Sequence, residues 1–385
     1  MVTAKIYGAE GRGTIGYGTS LFAFIALVFS MNLGRSFVEE TQKNDLKKRI
    51  ALPTYYLYFL ILSVASTVIG LLFWKSSASA QNTITLTQAV LFSMTSFSYI
   101  WLNSANYFYS SFLLTHIQEM IILFCRLLLV LFLIYIYFAP IDLDHFLIGY
   151  VVILSAGVLT ESVVLLKKVK INLNLKDQIK NTLAVFNSKN IIHHVEFLSF
   201  YSFHLVLTLL ANHSLNKIQI GLMTTVIQTC YLIYLFSYTA HVKIISYISN
   251  SHSSDKMKEI KRLYGVTFAA SAVVGLIIYG FLEYPLIKAR LGSFSGIEPY
   301  FLISLFSIPG FVTYQVLSPL VLEKNKIKNL CQLNLIAYFL LLAIGSILIP
   351  EYELTAVFFI YSAFYVIVGL NIFIVLNARQ QPNKI

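Results

Sequence analysis

Long apolar runs separated by short polar segments organise this chain from near residue 14 almost to its end. Eleven runs are bounded by charges, Pro or Asn: 14 to 36, 53 to 74, 85 to 110, 117 to 138, 145 to 166, 191 to 211, 217 to 247, 264 to 284, 298 to 322, 329 to 350 and 353 to 377. An α-helix needs about 20 apolar residues to cross a hydrocarbon core of about 30 Å, and the runs have that length. They are continuous and lack the period-two alternation of an outer-membrane strand, which needs only about ten residues, so they predict helices and not a barrel.

The longest polar interruption, Lys167 to Asn190, divides five runs from six. The expected architecture is therefore an all-α integral membrane protein of about 11 transmembrane helices. It comprises an N-terminal helical bundle over 1–170, a cytoplasmic linker over 171–190 and a C-terminal helical bundle over 191–385. A weak internal similarity points to related halves: Gly16-x-x-Thr19-Ser20 opens the first run, and Gly221-x-x-Thr224-Thr225 lies early in the seventh.

Composition agrees with the pattern. Charged residues make up 12% of the chain and hydrophobic residues 57%, with a mean hydropathy of +0.74, whereas a soluble domain carries about a quarter charged residues. Cys125, Cys230 and Cys331 all lie inside apolar runs, with no CxxC, and are expected to be free thiols. The net charge of +11 comes from Lys and Arg in short blocks between runs, which fits loops beside anionic lipid and not a nucleic-acid face.

Those blocks orient the chain. Placing the loop after the first run in the cytoplasm puts Arg35, Lys43, Lys47, Lys48, Arg49, Lys167, Lys168, Lys170, Lys176, Lys180, Lys189, Lys256, Lys258, Lys261, Arg262, Lys324, Lys326, Lys328, Arg379 and Lys384 inside. Only Lys5, Arg12, Lys75, Lys217, Lys288 and Arg290 fall outside. The positive-inside rule then predicts a multi-pass protein of the bacterial inner (cytoplasmic) membrane, N-terminus outside and C-terminus cytoplasmic. Met1 to Arg12 contains no compact apolar stretch, so no cleavable signal is expected. An N-out start without a signal predicts a further span upstream.

The opening segment, Ala4-Lys5-Ile6-Tyr7-Gly8-Ala9-Glu10-Gly11-Arg12-Gly13-Thr14-Ile15-Gly16-Tyr17, leads into an apolar run ending Asn32-Leu33-Gly34-Arg35. It resembles the Wzx-type polysaccharide flippases of the multidrug/oligosaccharidyl-lipid/polysaccharide (MOP) exporter superfamily, where a glycine-rich turn joins the first two helices. Ile220-Gly221, the basic stretch Lys256 to Arg262, and Leu317-Ser318-Pro319 before Glu323-Lys324-Asn325-Lys326 continue the similarity in order and spacing. Two departures stand out. The family's first helix would precede the glycine turn, which here almost coincides with Met1, and Ala211-Asn212-His213-Ser214 lacks the acidic residue many relatives carry before the second glycine.

The resemblance implies twelve helices in two bundles around a central cavity that opens alternately to either side. It implies as cargo an undecaprenyl-diphosphate-linked oligosaccharide repeat unit, moved outward for O-antigen or capsule assembly. Membrane lipids and other polysaccharide-assembly proteins are the expected partners, with no nucleic acid, cofactor or metal.

A diphosphate and a glycan crossing hydrocarbon need a wet, partly cationic path, so intramembrane cations are the first candidates. Arg126 lies nine residues into the fourth run, about 13 Å deep at 1.5 Å per residue; the competing reading is a structural ion pair. Arg35 and Lys243 end the first and seventh runs, where they either bind a diphosphate or snorkel to headgroups. In the third run Tyr99, Trp101, Asn103, Asn106, Tyr107 and Tyr109 suit sugar stacking and hydrogen bonding, or simply belt and packing roles.

For ion coupling, His193, Glu196 and His204 fall near one helical face, about three turns from end to end. Glu161 is a further candidate, the alternative being a pair with Lys167 or Lys168. The loop Asp142-Leu143-Asp144 is too poor in carboxylates for a metal site.

No GxxxxGK[ST], HExxH or GxSxG occurs, and no loop has the size of a catalytic domain, so an enzyme is not expected. The alternatives are a membrane-embedded polymerase or ligase of lipid-linked glycans, which would need a large outer loop, and a small-molecule exporter of the same superfamily. A cation exporter would favour intramembrane acids over Arg126.

Overall fold

The computed structural model describes residues 2–41, 45–169, 188–250, 256–288, 291–324 and 326–378. Among them every regular element is helical. Seven helices are long and apolar enough to cross a membrane, or up to nine spans if two bent pairs count as one each. The eleven runs exceed that number because the last helix holds two of them, and because the helix of the third run is rich in hydroxyls. The chain divides into two compact units, Met1–His194 and Val195–Ile385. The expected linker lies outside the described residues except for 188–190, which begin a helix.

The first unit contains α1 (Val2–Phe29), α2 (Leu33–Thr41), α3 (Asp45–Ser76), α4 (Ala78–Thr83), α5 (Leu86–Ser111), α6 (Thr115–Phe138) and α7 (Leu143–Val169). Helix α5 is its centre, packed on α1, α2, α3 and α7. It starts on a capping box in which Thr85 and Gln88 satisfy each other's backbone N–H. Its hydroxyls at Ser93, Thr95, Ser96, Ser98 and Ser104 are buried in the unit and several bond back to the preceding turn, as with Thr95 to the Phe92 carbonyl and Ser104 to that of Ile100. A central helix can therefore be polar. By contrast α6 leaves nearly all of its apolar surface uncovered, 6% of its span window being buried, as a lipid-facing helix does.

The glycine-rich stretch expected as a turn is helical from Val2 onward, and only Gly8, at φ 66°, breaks it. The run 14 to 36 also differs from one span. Helix α1 ends at Phe29, Met31 and Asn32 take φ 45° and 50°, and α2 begins at Leu33. Gly34 then allows close approach to α5, since a Cβ there would lie 2.6 Å from the Ser104 carbonyl oxygen.

The second unit begins within α8 (Ser188–Tyr201) and continues through α9 (Phe203–Ala211), α10 (Lys217–Asn250), α11 (Lys256–Glu283), the short α12 (Pro285–Lys288), α13 (Glu298–Leu305), α14 (Ser307–Glu323) and α15 (Ile327–Asn377). Helices α14 and α15 cross at two glycines, where a Cβ on Gly310 would sit 1.8 Å from the Tyr365 carbonyl oxygen and one on Gly369 would sit 2.7 Å from the Gly310 Cα. Small residues at such crossings bring backbones together where lipid supplies no hydrophobic drive.

Two spans bend. The α8–α9 pair turns by 50° and the α13–α14 pair by 40°. Pro309 explains the latter, because it offers no N–H to the carbonyl of Leu305. Within α15 Glu353, at φ 48°, separates the last two runs just after Pro350. Its carboxylate accepts a hydrogen bond from Gln219 Nε2 at 2.6 Å.

The Gly-x-x-Thr similarity has a common local form. Thr19 bonds back to the carbonyls of Ile15 and Gly16, and Thr224 and Thr225 both bond back to that of Gly221.

Candidate functional site

In the first unit the structure joins residues from two of the sequence's candidate groups. Glu161 on α7 is buried at 3% exposure, and its Oε2 accepts a hydrogen bond from Trp101 Nε1 on α5 at 2.6 Å. Tyr109, two turns further along α5, donates to the Glu161 carbonyl oxygen at 2.6 Å. Two aromatics considered for sugar contact thus bond to Glu161, Trp101 to its carboxylate and Tyr109 to its backbone carbonyl. Trp101 itself is locked by Phe59, Tyr56 and Phe108, with ring centroids 5.0, 5.9 and 6.1 Å away. The alternative pairing of Glu161 with Lys167 or Lys168 is not found, and both lysines are exposed.

Arg12 was expected outside the membrane, yet it lies inside the candidate span Ile6–Phe29 and is 9% exposed. Tyr150 of α7 is within electrostatic reach of it. The sequence signal was present, because the helix-compatible residues before Thr14 run on into the apolar stretch. They contain no compact apolar stretch, so hydropathy alone does not extend the run to them.

The other proposed cargo contacts of this unit with described side chains are less buried than Glu161. Arg126 on α6 is exposed, Asn106 on α5 is exposed, and Asn103 is half-buried. Arg35 falls in α2, and its side chain lies outside the described residues.

In α8, His193 and His194 are both buried, and His194 Nε2 lies 3.0 Å from the Val28 carbonyl oxygen of α1. Both histidines and Glu196 are withdrawn from solvent.

In the second unit the Glu196 carboxylate accepts from the Tyr314 hydroxyl of α14 at 2.5 Å. His204 sits on α9, beyond the 50° bend, and its Nδ1 lies 2.8 Å from the Tyr231 hydroxyl of α10. The bend takes His204 off the straight helical face that the spacing predicted for it with Glu196. Lys243 on α10 is exposed.

Around these groups stands a hydroxyl-rich seam that the sequence did not reveal. Tyr234 pairs with Ser307 and, at 3.3 Å, with Tyr361. Gln315 Nε2 donates to Tyr201 at 2.8 Å, and Ser202 and Tyr338 are 2.9 Å apart. The rings stack on Phe311 and Phe200, with Tyr234–Phe311 and Phe200–Tyr314 centroids both at 3.6 Å.

The acidic loop does local work. Asp142 Oδ1 accepts the His145 backbone N–H at 2.8 Å and so caps α7, and it also meets the imidazole at 2.7 Å. These bonds hold its carboxyl below the usual range. Asp144 accepts from Gln88 at 2.8 Å. In the second unit Lys288 sits 3.3 Å from buried Glu298 and 3.5 Å from Glu283, which keeps its ammonium charged to higher pH than usual. No grouping of three or more metal-ligating side chains occurs among the described residues.

The sequence matches no family model and no curated protein. Solved structures do match the fold. An inward-facing multidrug resistance MATE family transporter of the MOP superfamily aligns with a TM-score of 0.71 at 13% identity, covering 97% of this chain and 91% of that one. The eukaryotic MATE transporter AtDTX14 aligns with a TM-score of 0.62 at 12% identity, covering 98% and 93%. A MATE point mutant aligns with a TM-score of 0.55 at 12% identity, covering 97% and 89%. The chain therefore has the fold of MATE transporters of the MOP superfamily.

Proposed function

We propose that this protein is a membrane transporter working by alternating access, and that its cargo is an undecaprenyl-diphosphate-linked oligosaccharide carried outward for surface polysaccharide assembly. The observation that carries the transport reading is the fold match over 97% of the chain. The cargo reading is supported by the order and spacing of the sequence segments that resemble Wzx-type flippases. It is also supported by two arginines within candidate spans, Arg12 and Arg126. Such cations match a diphosphate and cost insertion energy that an uncharged cargo would not repay.

In this reading Arg126, Arg35, Lys243, Asn103 and Asn106 contact the cargo during its passage. Glu161, Glu196, His193 and His204 are the groups available for ion coupling. The protein resides in the inner membrane with its C-terminus cytoplasmic, in keeping with its Lys and Arg distribution.

One observation favours a second reading, export of a cationic small molecule: each unit buries a carboxylate, Glu161 in the first and Glu196 in the second. Deleting the gene and analysing lipid-linked intermediates separates the two. The flippase reading expects undecaprenyl-diphosphate oligosaccharides to accumulate and surface polysaccharide to fall. Unchanged intermediates together with raised sensitivity to cationic drugs would overturn it in favour of export.

A further inference from the structure

A cleft of about 420 Å³ lies at one end of the first unit, lined by Val38, Lys48, Arg49, Ser110, Ser111, Phe112 and Leu113. That volume is within the range of roughly 300 to 1,000 Å³ typical of small-ligand sites. Its level in the bilayer follows from the spans: one candidate span starts at Lys48 and another at Thr115, so the cleft stands where hydrocarbon gives way to headgroups.

The two walls differ in chemistry. Lys48 is half-buried and donates from Nζ to the Ser111 carbonyl at 2.9 Å, which fixes the start of α3 against the end of α5. Arg49 beside it is exposed and keeps its guanidinium fork available. Ser110 and Ser111, whose hydroxyls both bond back to the Tyr107 carbonyl, line the same opening as the two cations.

The apolar wall is stranger. Leu113 has φ 58° and is 84% exposed. The bond from Leu114 N to the Tyr109 carbonyl and that from Leu113 N to the Ser110 carbonyl make this a left-handed helix cap, a position ordinarily filled by Gly or Asn. A leucine held in that conformation and pushed outward gains nothing from packing within the chain, and strain of this kind points to a role outside it.

We propose that this cleft binds the headgroup of an anionic glycerophospholipid, its phosphate on Arg49 and Lys48 and the first carbons of its acyl chain on Leu113 and Val38. The inference does not depend on which cargo the protein carries. A phosphate could also reach the cleft as a free anion, and the apolar wall is what selects the lipid.

The test uses the full-length protein purified in detergent, with retained lipids counted by native mass spectrometry in mixed phosphatidylglycerol and phosphatidylcholine. Arg49→Gln leaves the Lys48–Ser111 contact in place and should lower the phosphatidylglycerol preference about tenfold, the loss expected for one charge-assisted contact. Lys75→Gln, at the far end of α3, should leave it unchanged. Leu113→Ser should weaken lipid retention, and excess inorganic pyrophosphate should not displace the bound lipid. An unaltered preference in Arg49→Gln, an equal fall in Lys75→Gln, or displacement by pyrophosphate would each overturn the proposal, the last in favour of a free anion.

Discussion

Trp101 gives its indole N–H to the Glu161 carboxylate at 2.6 Å, across 60 residues of chain and inside the packed first unit. A tryptophan has one donor and no acceptor, so this bond satisfies the indole fully and supplies one of the several donors that a buried carboxylate can accept. Trp101→Phe keeps the aromatic packing and removes the donor. The expected cost is about 1 to 3 kcal/mol, that of a buried acceptor left unsatisfied, read as a lower melting temperature in detergent.

Glu161→Gln separates structure from coupling. The amide oxygen still accepts from Trp101, so the melting temperature should hold within a few degrees. If Glu161 carries the coupling proton, the variant loses the dependence of transport on an imposed pH gradient in proteoliposomes. An unchanged gradient dependence would leave Glu161 a structural acceptor.

The Asp142–His145 cap predicts a pH effect at the start of α7. The folded-state pKa of Asp142 is lowered by the His145 backbone and side-chain bonds. The cap's contribution is therefore fully present above the unfolded aspartate value of about 3.9 and is lost as pH falls through the lower folded value. Hydrogen exchange of residues 143–147 should be flat from neutral pH to about pH 4 and then, corrected for intrinsic rate, rise. Asp142→Asn should flatten the profile.

Glycines at helix crossings and glycines in open helix surface should respond with opposite sign. Gly310→Ala forces a methyl into the Tyr365 carbonyl, 1.8 Å from its built position. Overpacking of this kind costs about 1 to 3 kcal/mol or more. Gly280 lies in α11 with nothing within 4 Å of its built Cβ, so Gly280→Ala should stabilise by about 0.5 to 1 kcal/mol through helix propensity. Thermal unfolding of the two purified variants checks both.

The spans were legible because hydrocarbon thickness imposes a length on apolar runs, and nothing in the local sequence competes with that. The breaks were not. No Gly or Pro lies at 201–203, where α8 and α9 bend by 50°, and the bend is what separates His204 from Glu196. Pro309 offered a clue to the α13–α14 bend, but it sits within an apolar run that reads as one span. Partners of buried polar groups were hidden for a different reason. Glu161 meets Trp101 and Glu196 meets Tyr314 across long stretches of chain, so each pairing is a property of packing and leaves no periodic trace. Arg12 fell outside the first run because Met1 to Arg12 has no compact apolar stretch, yet the helix starts before it and the candidate span takes it in, glycine being compatible with helix in a membrane.

Topology is the next test of the charge argument. Cysteine labelling from outside should reach single cysteines at Gln81 and Asp142, and should not reach those at Lys176, Lys258 or Lys326 in intact cells. The three native cysteines lie inside helices and are replaced first. Labelling at Lys176 from outside would put the segment between the fifth and sixth apolar runs on the wrong side for a cytoplasmic connection.

Arg126 poses the sharpest question, since it is exposed on α6, the helix with the least covered span window. A charge at a helix centre costs about 2.5 to 3.5 kcal/mol on insertion scales. Replacing it with Ala relieves that cost, so the membrane level of Arg126→Ala should match or exceed that of the parent. If the exposed guanidinium meets a diphosphate cargo, the variant forfeits a charge-assisted contact of about 1.5 to 3 kcal/mol, and transport should fall at least about tenfold. Arg126→Lys keeps the charge without the planar fork and should retain partial activity. The readout is recovery of surface polysaccharide in a deletion strain, with protein level followed by blot. Full recovery with Arg126→Ala would remove Arg126 from the cargo path, and loss of the protein from the membrane would instead assign it a structural partner.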